Sequence, residues 1–179
     1  AKFNLLTQVE NGDAYSKTPA GKDTSAITSK TFAPAYVLLS LGFDYKPKDN
    51  FSLFISPLTE RWVVVSDKRI KPFYGVDSTK NARNELGAFV SANYTAKLGK
   101  NFVYKTKLDL FSNYKKNPQN IDMYWTNALT AKLTRYINFS FNLDMIYDDD
   151  TKNVNPAKGP APQWLQLMGI GFAYNFSKK

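Results

Sequence analysis

The sequence predicts an all-β fold, an antiparallel up-and-down transmembrane β-barrel with about eight strands. Three observations predict it. Large apolar residues alternate with small or polar ones at a period of two, segment after segment. Aromatic residues stand near both ends of the apolar faces. Short connections alternate with longer ones along the chain. The closing segment is the clearest case: Trp164, Met168, Ile170, Phe172, Tyr174 and Phe176 fall on one face, with Gln166 the exception, while Gly169, Gly171, Ala173 and Asn175 fall on the other. A strand between lipid and a barrel interior carries this pattern.

Each strand follows from its own alternation. The first, 2–10, sets Phe3, Leu5 and Val9 against Asn4 and Gln8. The second, 35–46, sets Val37, Leu39, Leu41, Phe43 and Tyr45 against Ser40, Gly42, Asp44 and Lys46. The third, 50–66, starts with Phe51, Leu53 and Ile55 outward; Pro57 interrupts it, and Trp62 to Val65 show no clear face, so a bulge is expected there. The fourth, 85–98, opposes Leu86, Ala88, Val90, Ala92, Tyr94 and Leu98 to Ser91, Asn93, Thr95 and Lys97. The fifth, 102–114, opposes Phe102, Tyr104, Leu108, Leu110 and Tyr114 to Lys105, Lys107, Asp109 and Asn113. The sixth, 121–135, opposes Met123, Trp125, Leu129, Ala131 and Leu133 to Asp122, Thr126, Thr130 and Lys132, with Asn127 out of place on the apolar face. The seventh, 138–147, opposes Phe139, Phe141, Leu143, Met145 and Tyr147 to Asn138, Ser140, Asn142 and Asp144. The closing segment is the eighth.

The tight turns fall at 46–50, 98–101 and 135–138, and the longer connections at 11–34, 67–84, 115–120 and 148–163. Outer-membrane barrels have short periplasmic turns and longer extracellular loops, and an even strand count puts both termini in the periplasm. The expected location is therefore a bacterial outer membrane. A soluble barrel of the lipocalin kind shares the period, but its outer face would be charged and free of aromatic girdles.

Composition narrows the chemistry. The 179 residues are one domain's worth of chain, 1–179. Mean hydropathy is −0.41, which alternation within each strand produces even in a membrane barrel. No run of about 18 apolar residues exists, which excludes a transmembrane helix. The chain opens in mid-alternation at Ala1 without an initiator Met, so a mature or truncated product lacking upstream strands is one expectation. Cysteine and histidine are both absent. That removes disulfides, thiolate metal sites, the commonest general base and any Ser-His dyad, so neither an enzyme nor a cofactor is expected. The net charge is +9, yet the lysines are scattered and no basic helix or RNP-like motif appears, so nucleic acid is not the expected partner. Membrane lipid and lipopolysaccharide fit the scattered charge better.

The candidate lumen residues are Asp44, Lys46, Lys105, Lys107, Asp109, Asp122, Lys132 and Asp144. They read either as a mutually neutralising interior network or as a slightly cationic lumen that favours anions. Tyr45, Tyr94, Tyr104, Tyr114, Trp125, Tyr147, Trp164, Tyr174 and Phe176 read as the aromatic girdle. The run from Asp148 to Asp150, with Asp144 before it, lacks the spaced carboxylates and central Gly of a calcium loop and reads as a solvated acidic strand end. Lys68, Arg69 and Lys71, with Lys115 and Lys116, fall at the predicted outer rims, within reach of lipid phosphates or simply solvated.

Five segments carry a family resemblance: 41–59, 85–88, 107–114, 117–122 and 146–150. They resemble an uncharacterised outer-membrane family of Bacteroidota, a family of domains of unknown function. The resemblance implies an outer-membrane β-barrel and no assigned activity. Members are longer at the N-terminus, which would make this chain roughly the C-terminal two-thirds of a barrel of about twelve strands. The chain also runs past Phe176 with Ser177, Lys178 and Lys179, where outer-membrane barrels commonly stop at an aromatic. The function expected is that of a structural or pore-type outer-membrane protein, with membership of a larger complex with other outer-membrane proteins as one form of it. The alternative is a lipid-binding or lipid-modifying barrel.

Overall fold

The computed structural model describes residues 1–179 except Gln8, 18–20, 149–159 and 175–179. The described strands are β1 (Lys2–Thr7), β2 (Gly12–Lys17), β3 (Asp23–Ser29), β4 (Ala35–Lys48), β5 (Phe51–Val64), β6 (Ala82–Leu98), β7 (Phe102–Asn113), β8 (Ile121–Lys132), β9 (Ile137–Tyr147) and β10 (Gln163–Phe172). Eight of them form one antiparallel sheet in the order β1-β4-β5-β6-β7-β8-β9-β10, and β2 pairs with β3 in a separate hairpin. Among the described residues no helix is long and apolar enough to cross a membrane. The sheet is open: β1 and β10 are its two edges.

Each predicted strand has a counterpart, and each consecutive pair from β4 to β10 is an antiparallel neighbour. The segment 11–34 holds more than a connection. Its hairpin β2–β3 carries few large apolar side chains, Tyr15 and Ile27, and these do not recur at a period of two, so no apolar alternation betrays it. The first strand is also shorter than its pattern, ending at Thr7. The register fixes the faces. Leu108, Trp125, Met145 and Trp164 are cross-strand partners in one row, as are Lys107, Thr126, Asp144 and Leu165 in the next. The first row belongs to the outward, largely apolar face and the second to the concave one.

The expected bulge exists at Pro57. Ser56 pairs with Phe89 and Thr59 with Gly87, so β5 spends an extra residue there and its parity flips. Before the bulge Phe51, Leu53 and Ile55 point outward; after it Trp62 and Val64 do, leaving Thr59, Arg61 and Val63 concave. Hydroxyls pin this corner. Thr59 Oγ1 lies 2.8 Å from both Ser40 Oγ and Ser56 Oγ, Ser56 donates to the Leu41 carbonyl at 2.8 Å, and Tyr114 donates to the Pro57 carbonyl at 2.7 Å. Gly42 and Gly87 flank the corner because the backbones close in: a Cβ at Gly42 would collide with the Ile55 carbonyl, and one at Gly87 with the Ser112 carbonyl.

The aliphatic core sits at the end of the sheet where the longer connections lie, between those connections and the ends of β4 and β5. Ala33, Val63, Val65, Ile70 and Val76 are buried there, with Ile27, Tyr36 and Tyr74 packed around them. Burying each Val or Ile contributes about 1.5–3 kcal/mol. A 3-10 turn, Lys71–Tyr74, runs through this cap. Lys71 is buried with its Nζ donating to Ser78 O at 3.2 Å and Asn81 Oδ1 at 3.0 Å. Asp67 joins the two connections, taking Arg69 at 2.8 Å and Lys30 at 2.7 Å. Hydrogen bonds from Arg69 and then Lys30 hold its carboxyl well below the usual carboxylate range.

Two outcomes follow. Gly42→Ala and Gly87→Ala should each lower stability by about 1–3 kcal/mol through overpacking at the corner, read from urea-driven unfolding, whereas Gly99→Ala at an exposed turn should show no steric clash and only the cost of its positive φ. The Asp67 clamp stabilises the folded state above the ordinary carboxylate value, near 4, and is lost only as pH falls through the lowered folded value. A carboxyl-carbon NMR titration should therefore place the Asp67 midpoint below 4; a midpoint at or above it would contradict the clamp.

Candidate functional site

The concave face gathers charge. In β5 the bulge turns Arg61 inward, opposite Glu85 of β6. Arg61 Nε donates to Glu85 Oε2 at 2.5 Å, and its Nη2 reaches over two strands to Asp122 Oδ2 of β8 at 2.6 Å. Its guanidinium also lies 4.1 Å from the centroid of the Phe111 ring. Arg83 adds a second contact to Glu85 at 3.3 Å. Glu85 is only 3% exposed, so two guanidinium groups offset the cost of its burial. An ion pair spanning β5 to β8 requires a tightly curled sheet, which the corner at Ser56–Thr59 supplies.

A second cluster lies nearer the short turns. Lys107 Nζ pairs with Asp109 Oδ2 at 2.5 Å, and Ser91 donates to Asp109 Oδ1 at 2.6 Å. Lys2 of β1 crosses the concavity to donate to Ser91 Oγ at 3.3 Å. Its ammonium stands 5.1 Å from the Phe89 centroid and 5.5 Å from that of Phe54. Beyond this cluster the face opens into a concavity of about 360 Å³ between β6 and β10, where Lys105, Lys107, Thr126, Asn142 and Asp144 meet Leu165 and Leu167.

The predicted lumen residues divide between these places. Lys107 and Asp109 meet in one cluster, and Asp122 joins the other. Lys105 and Asp144 line the concavity. Asp44 and Lys46 pair with each other at 3.1 Å, exposed at the end of β4, and Lys132 is exposed at the end of β8. Within the predicted set the ion pairs are Lys107–Asp109 and Asp44–Lys46, while Asp122 pairs with Arg61. Lys2, Arg61 and Glu85 join them on the concave face and are not among the residues expected from the sequence. Glu85 stands in phase with Ser91 and Asn93 and was visible in that sense. Arg61 becomes concave only once the bulge flips the parity.

The girdle residues stand mostly on the outward face. Tyr45, Tyr94, Tyr114, Trp164 and Tyr174 are exposed, and Tyr104, Trp125 and Tyr147 are half-buried among neighbours. Tyr174 stacks on Tyr136 with centroids 5.5 Å apart. Asn127 is not stranded on the apolar face. Tyr104 Oη donates to its Oδ1 at 2.6 Å and Thr106 Oγ1 at 2.9 Å, while Trp125 Nε1 donates to Thr106 Oγ1 at 2.9 Å. Tyr104 and Trp125, both predicted for the girdle, therefore also serve a polar cluster. Phe176 lies outside the described residues, as do 149–150 of the acidic run. Among the described residues no group of three His, Cys, Asp or Glu is placed to hold a metal. Comparison with protein-family models, curated proteins and solved structures gives no match.

Removing the hub cation should expose its importance. Arg61→Met leaves the buried Glu85 with less compensation and should cost about 3–5 kcal/mol, measured by urea-driven unfolding followed through tryptophan fluorescence. Adding Glu85→Gln and Asp122→Asn should recover most of that loss. A single variant as stable as the parent would mean that the hub does not hold the curl.

Proposed function

We propose that this protein is an integral β-barrel of a bacterial outer membrane with a structural role and a filled interior, serving alone or as a subunit among other outer-membrane proteins. One observation carries the reading, the inverted polarity of the sheet. Phe43, Met168 and Ile170 on the outward face are 78%, 70% and 77% exposed, whereas Glu85 and Ser91 on the concave face are 3% and 0% exposed. In water so large an apolar face would be a liability; against acyl chains it is at equilibrium. The pairs Tyr104/Tyr114 and Trp164/Tyr174 are ten residues apart, about 25 Å along the normal for a strand tilted near 40°. That is the height of an outer-membrane apolar band. Joining β1 to β10, directly or through further strands, would complete the barrel. The resemblance to the Bacteroidota family points the same way.

A filled interior favours the structural role over a pore: Phe54, Phe89 and Phe111 project inward beside the two ion-paired clusters. The second reading, a lipid-binding barrel, is favoured by Leu165 and Leu167, apolar residues on the concave side at the edge of the concavity. Substitution scanning in vesicles tests the membrane reading. Met168→Arg should make folding into a bilayer less favourable by about 2–4 kcal/mol, and Thr126→Arg by much less. In a water-soluble sheet the exposed Met168 would tolerate Arg within about 0.5 kcal/mol, so that result would sink the proposal. Unitary conductance in planar bilayers would instead select a pore, and acyl chains retained through purification the lipid-binding reading.

A further inference from the structure

We propose that the rim formed by the three short turns is a binding surface for anionic phospholipid headgroups, and this rests on the membrane reading above. Each short turn, with the strand end that leads into it, carries two cations: Lys46 and Lys48 at the end of β4, Lys97 at the end of β6 with Lys100 in the turn after it, and Lys132 at the end of β8 with Arg135 in the turn after it. All six are exposed, and the only carboxylates in these turns are Asp44 and Asp49. Of these six, only Lys46 has a carboxylate partner among the described residues, Asp44 at 3.1 Å. The opposite end behaves differently. There Lys30 and Arg69 share Asp67, Arg61 holds Glu85 and Asp122, and Lys71 is buried on backbone and amide oxygens. Exposed cations stand at the other end too, Lys68, Lys80 and Lys115 among them, but at the short-turn rim all six are exposed and five of the six have no carboxylate partner among the described residues.

Each pair of cations also stands beside an apolar or aromatic anchor that reaches the same level. Tyr45 is 61% exposed at the first turn and Leu98 is 54% exposed at the second. At the third, the Arg135 guanidinium lies 5.4 Å from the Tyr136 centroid, and that ring stacks on Tyr174. Anchor and cation together match a phospholipid: the ring or Leu meets the top of the acyl chain while the long basic side chain extends to the phosphate. The occupant is a diacyl lipid of net negative charge in the leaflet beside the short turns. A zwitterionic lipid brings an ammonium of its own that the rim would repel.

Spin-labelled phosphatidylglycerol and phosphatidylcholine, introduced in turn into vesicles holding the full chain, separate the possibilities. The expected result is a motionally restricted fraction for both lipids, with phosphatidylglycerol favoured about threefold, and with the preference abolished in 1 M NaCl by screening. Lys97→Gln with Lys100→Gln should reduce that preference, and all six positions changed to Gln should remove it. Lys115→Gln with Lys116→Gln, at the other end, should leave it intact. If the six-fold variant does not fold, the salt titration and the paired variant still decide. No restricted fraction for either lipid would overturn the membrane reading itself. Equal fractions for both lipids would overturn the rim proposal alone, as would a preference that follows Lys115 and Lys116.

Discussion

The corner at Ser56–Thr59 is the constraint on which the rest of the sheet depends. An extra residue in β5 does two things at once. It bends the strand and raises its twist, so the sheet curls, and it exchanges the faces of everything that follows in β5. Without the exchange, Arg61 would point outward into the apolar face and Trp62 would point into the curl. Without the bend, Arg61 could not reach Asp122 two strands beyond its neighbour. The glycines at 42 and 87 are there because side chains cannot be, and the hydroxyls of Ser40, Ser56 and Thr59 occupy the space a larger side chain would contest. Small residues at the concave centre and an Arg at its margin are parts of one solution.

Charge in the curl then acts as a packing material. Arg61, Glu85 and Asp122 would be costly singly, because desolvation outweighs the attraction of an imperfect pair. Together they satisfy one another, and the guanidinium lies on Phe111 as well. Lys2, Ser91, Asp109 and Lys107 repeat the logic at a second level. The concave face is held by complementary polar groups, while the aliphatic cluster gathers around Ile70 and Val76 at the end of the longer connections. A water-soluble β-domain normally inverts that division, with aliphatics between its layers and charge outside.

The sequence was most legible where one face repels the contents of the other. From β4 to β10, the bulge in β5 and a few positions such as Asn127 and Gln166 apart, apolar residues recur on the outward face at a period of two, and the strand limits lie close to the alternation. The hairpin β2–β3 escaped because its strands are mostly small and polar and its lone large apolar residues, Tyr15 and Ile27, do not alternate. Arg61 escaped for another reason: Pro57 announced an irregularity, but whether a bulge adds one residue or two decides the face of every later side chain. Asn127 was read as an exception, and its explanation lay in Tyr104, Thr106 and Trp125 on two strands, a constellation that requires the register to be known. Lys46 and Lys132 have the phase of lumen residues, yet phase gives the face and not the depth, and both stand at the rim.

The two edges complete the physical picture. A backbone edge in hydrocarbon leaves N–H and C=O groups without water, at several kcal/mol each, which is why spanning sheets close. Soluble proteins protect an edge strand with Lys, Pro or a bulge. Gln163–Phe172 has no Lys, Arg or Pro and shows no irregularity in its pairing with β9, so nothing on β10 discourages a further strand. Its concave Leu165 and Leu167 are 64% and 61% exposed, and the last concave residue of β1, Leu6, is 63% exposed. In antiparallel pairing of β10 with β1, Leu6 would come to the same end of the strands as Leu165 and Leu167. Closure would then pair the open backbone and give three concave leucines one another as neighbours, so under the membrane reading both the lipid outside and the side chains inside favour an edge-free sheet.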